Sequence, residues 1–257
     1  MPAPENKLKN ALGNGEMQIG LWLGTAHPML AEIAASAGYD WCLIDAEHGP
    51  NDVPTILAQL QAMNGAAATP VVRVPIGNDW LIKQVLDIGA QTIMVPMVET
   101  ANQAAAMVRA VRYPPDGVRG LANVMVRASG YNAVPDYLQT ANDEICLIVQ
   151  VESRKAIENI DTIAATEGVD VVFIGPADLS ADMGHLRNPA APEVVTAIKH
   201  AAGRIRTAGK AVGIIGGGEL TTMRDIGVTF LGVGADVPIL AAALRGLAKG
   251  AREELGE

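Results

Sequence analysis

The chain has 257 residues, 49% of them hydrophobic, and a formal net charge of −9, so it can bury one large core. The charge argues against a nucleic-acid or anionic-membrane partner, which would be repelled at neutral pH, and no apolar run approaches the roughly 18 residues of a membrane span. A small soluble substrate is expected. The start, Met1-Pro2-Ala3-Pro4-Glu5-Asn6-Lys7, has neither the basic nor the apolar region of a secretory leader, which suggests a cytoplasmic protein whose Cys42 and Cys146 are reduced, buried thiols.

Runs rich in Val and Ile alternate with longer Ala-rich stretches of helical spacing, the pattern of βα units and a parallel sheet. In chain order the strands are expected at Gln18–Leu23, Trp41–Asp45, Pro70–Val74, Thr92–Pro96, Ile145–Val151, Val169–Ile174, Ala211–Ile215 and Thr229–Val233. The helices between them are expected at Pro28–Ser36, Val53–Met63, Asp79–Ile88, Ala101–Arg112, Arg154–Ala165, Pro192–Thr207 and Leu220–Ile226. Gly38, Gly89, Gly168, Gly209 and Gly227 each precede a strand, as left-handed helix caps would. Eight alternations predict an α/β fold, a (β/α)8 TIM barrel forming one domain over residues 1–257. An open doubly wound sheet is the rival, but Gly20-Leu21-Trp22-Leu23-Gly24 has neither the spacing nor the following acid of a phosphate fingerprint. Gly216-Gly217-Gly218 reads as a close-approach loop beside the site, and the long stretch from Tyr113 to Asn142 as a functional loop. Val237–Leu255 carries apolar residues at helical spacing; it should close the barrel or pack on a neighbouring subunit.

A barrel of this kind gathers its strand C-termini on one face, so Asp45, His48, Arg73, Glu152 and Asp178 should meet. Glu152 and Asp178 leave consecutive strands; each alone could cap a helix or pair with a base such as Arg154, but together they suit a hard divalent cation, Mg2+, Mn2+ or Co2+. His48, one of four histidines, is placed as a base. Arg73, between Val72 and Val74, would hold a carboxylate or a developing oxyanion, the alternative being a structural ion pair with Asp45 or Glu47. Gln150 alternates with Glu152 and so points the same way. Gly175-Pro176-Ala177 offers backbone amides from Gly175 and Ala177 beside Asp178, and Ile215 ends the seventh strand at the same face.

This set can make an enolate: a cation polarises a ketone beside a carboxylate, Arg73 supports the oxygen and His48 moves the proton. Carbon–carbon cleavage or formation next to pyruvate follows. A Schiff-base aldolase would need a lysine inside the barrel. Lys83, Lys199 and Lys249 fall on helices, Lys7, Lys9 and Lys210 lie away from the site, and only Lys155 stays near it.

Asp40-Trp41-Cys42-Leu43-Ile44-Asp45-Ala46-Glu47-His48, Val95-Pro96-Met97-Val98, Arg112-Tyr113-Pro114-Pro115 and the run from Phe173 through Gly184 resemble the class II, metal-dependent pyruvate aldolases of the 4-hydroxy-2-oxoheptane-1,7-dioate aldolase family, within the phosphoenolpyruvate/pyruvate barrel superfamily. The resemblance spans nearly the whole chain. It implies His48 as base, Arg73 as transition-state stabiliser, Glu152 and Asp178 as metal ligands, and Gln150 and Ala177 as pyruvate-binding residues. It also implies that Asp87 raises the basicity of the histidine. The end of that helix lies at the wrong face of its own barrel, so Asp87 would act across a subunit interface in a homo-oligomer, the hexamer of this family. Ala46 stands where the family has glycine, and Ile214-Ile215-Gly216-Gly217-Gly218 replaces a bulkier run, which reshapes the aldehyde pocket. The donor would be pyruvate or hydroxypyruvate and the acceptor an aldehyde. The competing expectations are a β-hydroxyacyl-CoA lyase of the citrate lyase or malyl-CoA lyase type, which should carry basic residues for the CoA phosphates, and a non-catalytic barrel that binds a small carboxylate.

Overall fold

A computed structural model describes residues 1–216 and 220–256. Eight strands, β1 Gln18–Leu23, β2 Trp41–Asp45, β3 Thr69–Arg73, β4 Thr92–Val95, β5 Cys146–Val151, β6 Val171–Ile174, β7 Ala211–Ile215 and β8 Val228–Ala235, close in chain order into a parallel barrel. The helices are α1 Lys7–Gly13, α2 Pro28–Ala35, α3 Val53–Ala62, α4 Asp79–Asp87, α5 Ala101–Val111, α6 Tyr137–Thr140, α7 Arg154–Glu158, α8 Ile160–Ala164, α9 Pro176–Asp182, α10 Pro192–Thr207, α11 Leu220–Asp225 and α12 Asp236–Leu255. The expected (β/α)8 barrel is therefore present, with element ends moved by one or two residues in most cases.

The strand runs are apolar because both faces are covered: every residue of β2 and β5 is buried. Their outer side chains meet the helices in one cluster that includes Ile44, Val72, Ile93, Val149 and Ile174. Their inner side chains fill the barrel with a second cluster built on Trp22, Trp41, Phe173 and Phe230. Trp41 stacks on Phe230 at 4.0 Å between ring centroids, and a Cβ at Gly20 would overlap the Trp41 ring, so the smallest residue sits beside the largest. Leu8 and Leu12 of α1, a helix not anticipated from the sequence, plug the bottom of this interior. Functional groups are thus confined to the other end.

The five cap glycines all have positive φ, as expected. Two expectations need correcting, and one further helix was not anticipated. The helix expected over Arg154–Ala165 is broken at Asn159, whose backbone leaves the helical range while its side-chain amide donates to the Glu99 carbonyl at 2.9 Å. The unanticipated helix is α9: Pro176 starts it with Gly175 as its N-cap, a position where the missing proline N–H has no helical partner to lose. The Tyr113–Asn142 stretch contains α6 and a 3-10 turn, Arg127–Ser129. Gly217 and Gly218 lie outside the described residues.

α12 runs for 20 residues without one buried side chain. Val237, Ile239, Leu240, Leu244 and Leu247 are all exposed. Its first residue, Asp236, accepts from the Gly24 N–H at 2.8 Å and from the Thr25 hydroxyl at 2.7 Å, which fixes the helix start to the β1–α2 loop.

Candidate active site

Parallel register sets the first contact. Asp45 and Arg73 are the last residues of β2 and β3 and stand side by side; both are more than nine-tenths buried. Arg73 donates from Nε to Asp45 Oδ1 at 2.9 Å and from Nη2 to Oδ2 at 2.6 Å, a two-pronged pair that locks the guanidinium plane. Its Nη1 lies 2.7 Å from Glu47 Oε2 and 3.5 Å from Gln150 Oε1. The ion pairs with Asp45 and Glu47 weighed as a structural alternative therefore exist. They do not remove Arg73 from the site, because they hold it at the strand ends facing Gln150.

Asp45 also shapes the next turn. Its Oδ1 accepts from the Glu47 N–H at 3.0 Å and the His48 N–H at 3.4 Å, an arrangement natural to Asp after a strand. This turn leaves the His48 side chain 69% exposed, with Nε2 4.0 Å from Glu47 Oε1. Ala46 is buried and has no left-handed backbone, so its methyl group is accommodated in this turn without backbone strain.

From β5, Gln150 and Glu152 project to the same side, and Gln150 Nε2 donates to Glu152 Oε2. Glu152 Oε1 accepts from the Met97 N–H at 2.9 Å. A Cβ at Gly175 would lie 2.5 Å from Glu152 Oε2 and 2.8 Å from its Cβ, so glycine is required there by the close approach of the acid. Burial pushes the Glu152 carboxyl up to about 7, against the Met97 hydrogen bond, and the nearby charges of Glu47 and Asp178 push the same way. Burial likewise raises Glu47. Asp178 lies in the first turn of α9 at the solvent edge.

These acids form a donor set for a hard cation. Among the described residues no His, Cys, Asp or Glu cluster of three or more makes a closed cage. What is present is a pair, Glu152 and Asp178, all oxygen, one buried and one open to solvent, and a cation held by them would offset the burial that chiefly raises Glu152 and the lesser repulsion from Asp178. Open positions would remain for substrate and water. The residues fit such an ion.

The amide donors need one correction: the Gly175 N–H is used by the Val151 carbonyl at 3.0 Å, which leaves Ala177, in the first helical turn, to offer its N–H. Ile215 is half-buried at the end of β7 against the barrel interior. Lys155 is bound to Glu99 at 2.9 Å on the surface, so among the described lysines none enters the barrel. Asp87 ends α4 at the opposite face, where it pairs with the fully buried Arg119 at 2.9 Å. A cavity of about 410 Å3 opens at the same bottom face between Asn6, Met63, Gln91 and Arg127, away from the strand ends that carry Arg73 and Glu152. Met97 was not singled out from sequence, and Glu47 was named only as a possible ion-pair partner of Arg73. For Glu47 the signal was an acid flanked by Asp45 and His48; for Met97 it was the break after Pro96.

The HpcH/HpaI aldolase/citrate lyase family model matches residues 18–243. A hydroxypyruvate/pyruvate aldolase from Deinococcus radiodurans is 55% identical, covering 100% of this chain and 96% of that protein. A 4-hydroxy-2-oxo-heptane-1,7-dioate aldolase from Shigella sonnei is 53% identical over 95% of this chain and 94% of its own length. The crystal structure of an HpcH/HpaI aldolase/citrate lyase family protein from Burkholderia cenocepacia superposes with a TM-score of 0.92 at 44% identity, covering 96% of this chain and 99% of that one. On this match and the barrel it rests on, the chain belongs to the HpcH/HpaI aldolase/citrate lyase family.

Proposed function

We propose that this protein is a divalent-metal-dependent aldolase that makes and breaks the carbon–carbon bond between the enolate of pyruvate or hydroxypyruvate and an aldehyde, through 4-hydroxy-2-oxo acids. The observation that carries this reading is the convergence of an ion-paired guanidinium, Arg73, and a buried acid, Glu152, on the two sides of Gln150. The name of its Deinococcus radiodurans relative, hydroxypyruvate/pyruvate aldolase, points to the same donors, and that of its Shigella sonnei relative to a 4-hydroxy-2-oxo acid.

Glu152 and Asp178 would hold Mg2+, Mn2+ or Co2+, which when bound would polarise the ketone oxygen. Gln150 and the Ala177 N–H would orient the donor's carboxylate, beside Gly175 and Pro176. Arg73, unable to rotate away from Asp45, presents Nη1 where negative charge builds on the oxygen. His48, held by the Asp45 turn, takes or returns the proton directly or through water. Ile215 flanks the acceptor. The catalytic domain is residues 1–257, and two buried free thiols, Cys42 and Cys146, suit a cytoplasmic setting.

The assembly is a homo-oligomer, a hexamer. Support comes from the uncovered apolar side of α12 and from Asp87, which can serve a histidine only in another subunit. Pyruvate methyl-proton exchange in D2O, followed by NMR on metal-stripped enzyme, tests the chemistry without choosing an aldehyde. Exchange restored by Mn2+ or Mg2+ is expected; no exchange of pyruvate or hydroxypyruvate protons under any condition would overturn the assignment.

A further inference from the structure

β4 and β5 keep one register from Thr92 beside Cys146 to Val95 beside Val149. In this register the Cys146 N–H donates to the carbonyl of Gln91, the residue before its partner Thr92. Continuing the same ladder, the carbonyl of Gln150 should receive the N–H of Met97. It receives the N–H of Val98 instead, at 2.9 Å. One extra residue lies between the end of β4 and this bond, the insertion of a β-bulge, and the residue with the displaced backbone is Met97.

Met97 has φ +57°, a left-handed backbone that an unbranched residue tolerates poorly and a β-branched one worse. Its neighbours Pro96 and Val98 are buried while Met97 is 53% exposed, so the side chain is not what holds it there. The freed N–H points at Glu152 Oε1, 2.9 Å away. Backbone outliers of this kind collect at functional sites.

We infer that Met97 is a positioning residue for the cation site: its bulged, left-handed backbone supplies the amide that fixes Glu152, and its side chain matters only through the backbone it permits. This rests on the reading of Glu152 as a cation ligand. Gln150 fixes the other carboxylate oxygen from the strand's own side, so the pair of donors sets the carboxylate plane before any ion arrives.

The test is Mn2+ titration calorimetry on metal-stripped, full-length protein carrying Met97→Gly, Met97→Ala, Met97→Val or Met97→Ile, each checked for folding by circular dichroism. Glycine relaxes the backbone and keeps the N–H, so Met97→Gly should bind Mn2+ within a few-fold of wild type, whereas the Val and Ile variants should bind at least about tenfold more weakly. An affinity order that follows side-chain size, with Gly and Ala losing most, overturns the inference. Should the branched variants fail to fold, an amide-to-ester replacement at Met97, which deletes the N–H and otherwise only weakens the Pro96 carbonyl as an acceptor, should weaken Mn2+ binding by about tenfold or more; unchanged affinity overturns it. Equal affinity across the whole series sinks the role of Met97 alone, while a wild-type protein that binds no Mn2+ sinks the cation-ligand reading of Glu152 with it.

Discussion

Glu152→Gln should make the metal-free protein more resistant to unfolding at pH 8 and change it little at pH 5. Glu152 is 3% exposed, and burial first, then Glu47 and Asp178, lift its carboxyl from 4.5 to about 7. Because the folded value is the higher one, the fold prefers the protonated acid: that contribution is intact below about pH 4.5 and is lost as pH rises through about 7. The full loss amounts to about 3 kcal/mol, of which about 2–3 kcal/mol falls between pH 5 and 8. Glutamine stays neutral throughout and keeps an oxygen for the Met97 N–H. Its NH2 would face the Gln150 amide donor, so Gln150 must turn over, which offsets the gain by about 1 kcal/mol at both pH values. Urea unfolding with a chelator present, at pH 5 and pH 8, measures the difference directly. Equal losses in wild type and variant across that window would refute the reasoning, because Glu152 would then not be the group that titrates. Added Mn2+ should stabilise the wild type at pH 8 and leave the variant nearly unchanged.

Arg73→Lys should fold yet lose at least about a hundredfold in kcat/KM, since one ammonium cannot reproduce the two bonds to Asp45 and the contact with Glu47; near wild-type turnover would place Arg73 outside the mechanism. His48→Ala should keep Mn2+ affinity while proton exchange falls by about 10²–10⁴-fold, and calorimetry beside NMR exchange separates the two. Gly175→Ala forces a methyl group to within 2.5 Å of Glu152 Oε2, so Mn2+ should bind more weakly with the barrel intact by circular dichroism; unchanged affinity would mean that Glu152 is free to move. Leu240→Asp with Leu244→Asp, both exposed on α12, should lower the mass measured by light scattering; an unaltered assembly would show that α12 is not at the interface.

Much of the site was legible because a barrel turns strand order into geometry. Asp45, Arg73, Gln150 and Glu152 each stand at or next to the end of an apolar run, and a charged group in that position has few places to go but the open end. Less legible were the uses of main-chain groups. Nothing local distinguishes the Gly175 N–H, spent on Val151, from the free one of Ala177, and α9 was hidden because Gly175-Pro176 looks like a turn. The break at Asn159 depended on Glu99, distant in sequence. The same holds for Arg119, whose partner Asp87 ends α4, 32 residues earlier in the chain.

The sequence by itself determined the alternation, the barrel and which residues stand at its catalytic end, because hydrophobic period, cap glycines and strand-terminal charges are local properties of the chain. Only the tertiary structure decided how those residues are held: Arg73 between Asp45 and Glu47, Glu152 between Gln150 and the bulged Met97 amide, and α12 left with its apolar side uncovered. Those outcomes depend on register and on distances between segments tens of residues apart, and such distances exist only once eight strands have closed on one another.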